Sequence, residues 1–231
     1  MSLARQFGLA IRALVLFAAV PVAACAAGSA PSFPAPALDD IRLAGKPQTA
    51  VLAGGCFWGM QAVFEHVKGV RRVLAGYSGG SAATAHYATV GGGTTGHAES
   101  VQITFDPREL SYGDILRVYF SVAHDPTELN RQGPDEGVRY RSEIFYADAR
   151  QQAIAQAYIA QLQQAATFPQ PIVTQLAPLT GFYRAEDYHQ DFLVHNTDYD
   201  YIVQNDLPKI ANLQRLYPQL YRVQPVLVDK Q

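Results

Sequence analysis

The fold is indicated first by residues 51–69, which run VLAGGCFWGMQAVFEHVKG. The stretch begins with a short apolar run at 51–53, and two glycines follow it, which is typical of a buried strand that meets a turn. After Cys56, apolar residues recur at helical spacing up to Val67, and Gly69 stands where helices commonly stop. The stretch therefore predicts a strand, a glycine turn and a helix, with a thiol where the helix begins.

The rest of the sequence mixes strand and helix patterns without a regular repeat. Strands are predicted at 70–77, 101–105, 143–146 and 172–176, and helices after a capping-box pattern at Ser111 and Asp114, at 148–166 and from Ala185, beyond which the chain is predicted to become irregular. Residues 81–96 have little periodicity and predict a long loop, a kind of segment that often carries function. We predict a single α+β domain in which helices cover a mixed sheet.

The composition is that of a globular protein. The chain has 231 residues, of which 48% are hydrophobic, and its formal net charge is −2. This apolar content excludes a disordered chain, and two cysteines exclude a disulfide scaffold. The near-neutral charge argues against nucleic acid as the main partner. Nothing in the sequence requires more than one copy, so a monomer is expected.

The first 24 residues have the pattern of an export signal. Arg5 and Arg12 precede an apolar run that ends in small residues. A membrane-spanning helix is the alternative, but spanning needs ~20 apolar residues, and this run is shorter and contains Pro21. Residues 22–25, VAAC, resemble the lipobox of bacterial lipoproteins, in which lipid is attached to the cysteine. Cleavage among the nearby alanines, without a lipid, is the alternative.

These features predict three segments: a lipoprotein-type signal peptide at 1–24, a flexible tether at 25–48 and a folded domain at 49–231. The tether is predicted because prolines stand among small and polar residues there. The predicted location is the periplasm or the cell envelope, with the mature protein held on a membrane by a lipid on Cys25.

Cys56 is the candidate nucleophile. Backbone N–H groups at the start of a helix favour the thiolate, the reactive form of cysteine. The preceding glycines leave room for a substrate to approach the backbone, and Phe57 and Trp58 can form a small apolar pocket beside the sulfur. A buried cysteine that packs as a small hydrophobic residue is the alternative.

Glu99 is the candidate proton donor. It ends the run GHAE at 96–99, where a carboxyl group beside a sheet would be desolvated and its pKa raised. A solvated acid at a strand end is the alternative. His97 fits a loop histidine better than a catalytic base. Tyr87 and Tyr140 can donate hydrogen bonds, although most of the 13 tyrosines are expected to serve packing.

No bound cofactor or metal is predicted. The run GGGTTG at 91–96 matches the glycine spacing of a dinucleotide site, but a strand follows it where that site needs a helix. A zinc site is not expected, because the histidines lack the paired spacing of zinc ligands.

Several short blocks occur in one order along the chain. They are GCFWG at 55–59, GYSGG at 76–80, GHAE at 96–99, HDP at 124–126, RQG at 131–133, YRS at 140–142 and FYRAEDYHQ at 182–190. Over residues 51–195 they resemble the A type of the peptide methionine sulfoxide reductase family. The resemblance implies a ferredoxin-like core and an enzyme that reduces the S epimer of methionine sulfoxide, free or in proteins, and so repairs oxidised proteins.

The resemblance implies roles for the reacting groups. Cys56 matches the nucleophile, which attacks the sulfoxide sulfur and becomes a sulfenic acid. Glu99 matches the acid that protonates the sulfoxide oxygen. Tyr87 and Tyr140 match the tyrosines that donate hydrogen bonds to that oxygen.

The resemblance also implies which residues bind the substrate. Phe57 and Trp58 match the pocket for the substrate methyl group, and Asp135 matches a residue near the substrate backbone. His189 lies in a family motif but receives no role. Because no cysteine follows Cys56, we expect an external thiol, thioredoxin or a similar reductant, to reduce the sulfenic acid.

Two other classes of function stay open. A thiol hydrolase or acyltransferase would pair Cys56 with a histidine such as His97 or His189 and would consume no reductant. A non-catalytic envelope lipoprotein would bind oxidised proteins without turning them over.

Overall fold

The computed structural model describes residues 33–40 and 45–228. Eight strands and six helices lie in this part of the chain. The strands are β1 (Gln48–Ala53), β2 (Val70–Ser78), β3 (Ala98–Phe105), β4 (Arg131–Gln132), β5 (Asp135–Glu136), β6 (Glu143–Tyr146), β7 (Gln175–Pro178) and β8 (Phe182–Arg184). The helices are α1 (Phe57–Glu65), α2 (Tyr87–Gly91), α3 (Tyr112–Val118), α4 (Ala149–Gln164), α5 (Phe192–His195) and α6 (Leu207–Leu216).

Six of the strands form one mixed sheet in the order β7-β6-β1-β3-β2-β8. All neighbours are antiparallel except β6 and β7, which are parallel. Strand β3 lies between β1 and β2, so β1, α1 and β2 form a split β-α-β unit, and the order β6-β1-β3-β2 is that of a ferredoxin-like core. The predicted α+β class is confirmed. The remaining strands, β4 and β5, pair as a separate ribbon.

Helix boundaries follow local hydrogen bonds. At the start of α3, the Ser111 hydroxyl accepts from the Asp114 N–H at 3.0 Å and the Asp114 carboxylate accepts from the Ser111 N–H at 3.1 Å, which confirms the capping box. Asp148 caps α4 with a single hydrogen bond, in which its carboxylate accepts from the Gln151 N–H at 2.8 Å. Gly69 lies beyond the end of α1 with φ of +88°, a conformation that favours glycine.

Two predicted segments differ from the structure. Residues 81–96, predicted as loop, contain the 3₁₀ turn Ala82–Thr84 and helix α2, because short alanine- and threonine-rich pieces can close single turns without an amphipathic pattern. The strand predicted at 172–176 begins only at Gln175, since pairing with β6 determines where this edge strand forms.

Residues 33–40 lie against the helices of the domain. The Tyr158 hydroxyl of α4 donates to the Pro34 carbonyl at 2.7 Å, and the Gly113 N–H of α3 donates to the Asp39 carboxylate at 2.8 Å. Residues 33–40 are thus bound to the domain, whereas the sequence predicts a flexible tether over 25–48. The difference arises because polar groups on α3 and α4 form hydrogen bonds with the backbone and with the Asp39 carboxylate of this segment.

The N-terminal predictions fall outside the described residues. These are the signal peptide at 1–24, the lipid site at Cys25 and the tether up to residue 32. Across 33–40 and 45–228, no helix combines the length and the apolar character needed to cross a membrane.

Candidate active site

Cys56 lies at the turn between β1 and α1. It is the N-cap residue of α1, and the Met60 N–H donates to its carbonyl at 3.4 Å. Gly55 has φ of +89°, and a Cβ on it would lie 2.6 Å from Gln132. A Cβ on Gly54 would lie 2.8 Å from the ring of His124. Both glycines are therefore needed for the turn that presents the sulfur.

The thiol of Cys56 is almost fully buried, with 8% of the residue exposed. Burial raises the pKa of this thiol well above its ordinary value, and the charges of Glu99 and Asp206 act in the same direction. The Trp58 N–H at the helix start favours the thiolate, as the sequence predicts, but its effect is smaller. Desolvation therefore outweighs the helix start, and the raised pKa favours the protonated thiol rather than the thiolate that the helix start alone would favour.

Glu99 stands on β3 opposite Tyr77 of β2 and is only 2% exposed. Its Oε2 accepts one hydrogen bond, from the Phe57 N–H at 3.2 Å. Burial raises the pKa of Glu99 to about 8, although that hydrogen bond and the charge of Arg139 both lower it. At neutral pH the side chain is thus mainly a carboxylic acid that can donate a proton, which is the desolvated state that the sequence predicts.

Tyr87 and Tyr140 approach the same region from two loops. Tyr87 begins α2, where its N–H donates to Glu186 at 2.9 Å, and the residue is 38% exposed. Tyr140 ends a 3₁₀ turn at Val138–Tyr140 and is buried. Burial raises the pKa of both hydroxyls, and the charge of Glu99 adds to this, so both are hydrogen-bond donors across the physiological pH range.

The predicted site residues line one small cavity of about 140 Å³. We call it the aromatic cavity. Its walls are Cys56, Phe57, Trp58, Tyr87, Glu99, Asp135, Tyr140, Tyr199 and Tyr201. All seven residues that the sequence predicts in the folded domain are present, and Tyr199 and Tyr201 were missed.

The indole of Trp58 is held in place from the far end of the chain. It stacks on Phe192 with ring centroids 3.7 Å apart, and its Nε1 donates to His189 Nδ1 at 3.1 Å. Because an indole N–H can only donate, His189 Nδ1 must be unprotonated here. Burial lowers the pKa of His189, which keeps the ring neutral.

His97 has a structural position. Its Nδ1 accepts from the Gly80 N–H at 3.2 Å, and its Nε2 donates to the Ser81 carbonyl at 2.9 Å. No hydrogen bond joins Cys56 to a histidine within residues 45–228. The geometry therefore offers no His–Cys ion pair, which a thiol hydrolase or acyltransferase would need.

Asp135 and Tyr201 form the rim of the aromatic cavity. The Tyr201 hydroxyl donates to Asp135 Oδ2, which holds the two side chains together. Tyr201 is the N-cap residue of the π-helix Ile202–Asp206, and Tyr199 lies two residues before it, but no helical or strand spacing in the sequence marks these two tyrosines. The dense run TDYDY at 197–201 was the available signal, since clustered tyrosines often serve at binding surfaces.

The start of α1 is covered by a buried ion pair. Lys209 Nζ lies 3.0 Å from Asp206 Oδ1, and Asp206 is fully buried. A Cβ on Gly59 would lie 2.0 Å from that oxygen, so the pair packs directly on the first turn after Cys56. Burial raises the pKa of Asp206, while Lys209 opposes this.

A family comparison agrees with this geometry. The family described as peptide methionine sulfoxide reductase matches residues 48–219. In the part of the chain that the structure describes, no group of three or more histidine, cysteine, aspartate or glutamate side chains is arranged to hold a metal ion.

Individual proteins are also similar to this chain. Peptide methionine sulfoxide reductase MsrA 2 of Mesorhizobium japonicum is 58% identical over 189 residues, which are 82% of this chain and 97% of the relative. The protein of the same name from Synechocystis is 50% identical over 177 residues, 77% of this chain and 83% of the relative.

Two solved structures have a similar fold. Reduced Mxr1 of Saccharomyces cerevisiae aligns with a TM-score of 0.60 and 30% identity, over 67% of this chain and 88% of that protein. Methionine sulfoxide reductase A of Corynebacterium diphtheriae aligns with a TM-score of 0.58 and 31% identity, over 68% of this chain and 78% of that protein.

Proposed function

Because the chain belongs to the peptide methionine sulfoxide reductase family, an oxidoreductase family that reduces methionine sulfoxide, we propose that its aromatic cavity reduces the S epimer through a sulfenic acid on Cys56. The main support for this proposal is that a buried thiol, Cys56, and a buried carboxylic acid, Glu99, line the same cavity. Glu99 has a pKa of about 8, so it retains a proton where an ordinary glutamate would have lost it.

The proposed first step moves one oxygen atom. Glu99 gives its proton to the sulfoxide oxygen, and Cys56 Sγ attacks the sulfoxide sulfur while its own proton returns to Glu99. The sulfur–sulfur bond formed by this attack and the sulfur–oxygen bond of the substrate then break as the hydroxyl group moves from the substrate sulfur to Cys56 Sγ. One thiol and one sulfoxide thus become one sulfenic acid and one thioether. Hydrogen bonds from Tyr87 and Tyr140 stabilise the charge on the oxygen as it moves.

The shape of the aromatic cavity supports a preference for one epimer. Its proton donors, Glu99 and the two tyrosines, and its apolar wall, Phe57 and Trp58, are contributed by different elements of the fold. A sulfoxide that places its oxygen on the donors, its methyl group on the wall and its side-chain carbon toward Asp135, with its sulfur facing Cys56, has only one handedness. Asp135, with Tyr201, is proposed to bind the main chain of the substrate.

Reduction of the sulfenic acid needs a second thiol. Cys56 is the only cysteine among the described residues, and the sequence has no cysteine after it. We therefore propose an external reductant, thioredoxin or a similar thiol. Both oxidised proteins and free methionine sulfoxide are proposed substrates, which makes the activity one of protein repair.

The test uses separated S and R epimers of a blocked methionine sulfoxide with dithiothreitol as the reductant. The S epimer alone should give methionine, with one dithiothreitol oxidised per turnover. Without reductant, one methionine should form per enzyme, and mass spectrometry should find one added oxygen on Cys56. Equal turnover of both epimers, or a burst without added oxygen, would contradict the proposal.

Export and lipid attachment are a separate proposal. It is supported by the apolar run before residue 25 and by the VAAC sequence that ends it. The mature protein purified from the cell envelope should begin at Cys25 and carry lipid mass on that residue, and Cys25→Ala should be released into the soluble fraction. An unmodified N-terminus at another residue would contradict lipid attachment.

A further inference from the structure

Cys56 also lines a second, larger cavity. This polar cavity has a volume of about 350 Å³, and its walls include Val122, Glu128, Asn205 and Lys209. The aromatic cavity has about 140 Å³, enough for one side chain. Binding pockets for small molecules commonly have roughly 300–1,000 Å³, so the second space is wide enough for a separate reactant.

The two cavities are separated by the Asp135–Tyr201 pair, whose residues line both. Apart from Cys56 and this pair, the two sets of lining residues do not overlap. Glu99, Trp58 and the two sulfoxide-binding tyrosines lie only on the aromatic side, whereas Lys209 lies only on the polar side. A molecule in the polar cavity therefore lies beside Cys56 and, apart from Cys56, shares only Asp135 and Tyr201 with the sulfoxide site.

Reduction of the sulfenic acid, the second half-reaction, needs a thiol that approaches Cys56 from a side away from Glu99. A nucleophile attacks divalent sulfur in line with the bond that breaks. In the proposed sulfenic acid, that bond joins sulfur to an oxygen delivered beside Glu99. The incoming thiolate must then come from a side away from Glu99, while Glu99 can give the leaving oxygen a proton so that it departs as water.

Three carboxylates line this cavity, and Lys209 is the one cation among its lining residues, so Lys209 is the group that attracts an incoming anion. Each of these carboxylates accepts a hydrogen bond: Asp125 from the Thr127 N–H at 2.9 Å, Glu128 from the Gly133 N–H at 2.7 Å, and Asp135 from the Tyr201 hydroxyl. The Lys209 ammonium has three donors, of which Asp206 takes one. An ammonium group beside a thiol favours its ionised form.

We propose that the polar cavity receives the thiolate that reduces the Cys56 sulfenic acid, and that Lys209 is the positioning residue for it. This inference rests on the proposed function. One thiol displaces water from the sulfenic acid and forms a mixed disulfide with Cys56. A second thiol then releases Cys56 as a thiol and leaves as a disulfide, so two thiols are oxidised for each sulfoxide reduced.

The experiment separates the two half-reactions. Enzyme is first oxidised with one equivalent of the S sulfoxide, which tests the proposed function by the methionine burst. A thiol is then added, and acid-quenched samples are analysed by mass spectrometry for loss of the oxygen on Cys56. One arm uses 2-mercaptoethanol and the other uses thioredoxin, so that a small thiol and a protein thiol are distinguished.

A matched pair of variants tests the cavity. Asn205→Phe places a ring in its wall, whereas Gln204→Phe makes the same addition at the exposed neighbouring position. Asn205→Phe should slow sulfenic acid loss with 2-mercaptoethanol at least tenfold and keep the burst within twofold of the unmodified enzyme, and Gln204→Phe should change neither. A slower thioredoxin arm would extend the cavity's role to protein thiols, and an unchanged one would restrict it to small thiols. Sulfenic acid loss at the unmodified rate in both arms would overturn the inference.

A charge test addresses Lys209 itself. If Lys209 favours the thiolate, Lys209→Gln should move the pH profile of sulfenic acid loss upward, toward the titration of the free thiol in solution. Lys209→Arg should restore the original profile, and the exposed control Lys68→Gln should leave it unchanged. A profile that is the same in Lys209→Gln would overturn the positioning role.

Discussion

Two regions build the aromatic cavity by different means. One is the strand, turn and helix at residues 48–65, and the other is the closing segment at residues 187–216. In the first, sheet hydrogen bonds and the glycine turn fix the position of Cys56 and of the residues after it. In the second, a 3₁₀ turn at Asp187–His189 and the short helix α5 bring side chains onto that frame, as His189 and Phe192 do on Trp58. The first region supplies the reacting sulfur, and the second orients what surrounds it. Changes in the reacting groups should therefore alter rates strongly, whereas changes in the closing segment should mainly alter substrate binding.

The largest effect is expected at the sulfur itself. Cys56→Ser should form no methionine from the S sulfoxide, because a serine hydroxyl does not accept the oxygen by this chemistry. Chromatographic detection of methionine in a single turnover measures this. Cys25→Ser is the matched control and should keep full activity in the purified protein, and residual turnover in Cys56→Ser would remove that residue from the mechanism.

The second effect concerns the proton donor. Glu99→Gln should slow methionine formation by ~10²–10⁴-fold, the usual contribution of a positioned acid. Because the pKa of Glu99 is raised to about 8, the unmodified enzyme should lose rate as the pH rises through 8 and the acid ionises. The variant should lack this decline, and the exposed control Glu136→Gln should retain it. Stopped single turnovers between pH 6 and 10 provide the measurement.

A smaller effect is expected where the closing segment holds Trp58. His189→Phe removes the acceptor of the indole N–H, and a lost hydrogen bond of about 0.5–1.5 kcal/mol corresponds to roughly a 2- to 12-fold rise in KM. The limiting rate of methionine formation should change less than KM. Tyr188→Phe, at the exposed neighbouring position, should behave as the unmodified enzyme. A loss in kcat of the size expected for KM, with KM unchanged, would contradict the view that the closing segment mainly affects substrate binding.

The smallest effect is expected at the Asp135–Tyr201 pair on the rim of the aromatic cavity. Tyr201→Phe removes one hydrogen bond to Asp135, and a rise in KM of roughly twofold is expected for a peptide substrate because Tyr201 is only half-buried. Dimethyl sulfoxide, which has no main chain, should show no such rise. The two KM ratios, measured side by side, distinguish a main-chain role from a general disturbance of the aromatic cavity.

The sequence predicted the regular region well because its signals are local. The apolar run before Gly54 and the helical spacing after Cys56 each depend on near neighbours, and β1 and α1 form where those signals stand. Glu99 could be proposed because a glycine-rich loop precedes a strand there. The protonation state of Cys56 could not be predicted, since it depends on burial and on carboxylates brought together by the fold.

The role of the closing segment was largely missed by the sequence analysis, because its signals are not local. Tyr199 and Tyr201 follow no helical or strand period, and their role depends on contacts with Trp58 and Asp135 far away in the chain. The sequence placed His189 in a motif, but only the direction of its hydrogen bond with the indole indicates what it does. The contacts of residues 33–40 were missed too, because a proline-rich composition does not indicate which surface such a segment meets.

The position of Trp58 gives the protein a built-in optical probe. It is the only tryptophan of the chain, and it stands two residues after the reacting sulfur, half-buried and stacked on Phe192. Ultraviolet emission excited at the indole band edge therefore originates from one place, with no second fluorophore of the same kind to subtract. Oxidation of the sulfur, entry of a ligand or loosening of the closing segment would each change the polarity around that single ring, so the catalytic cycle can be followed by light without a label.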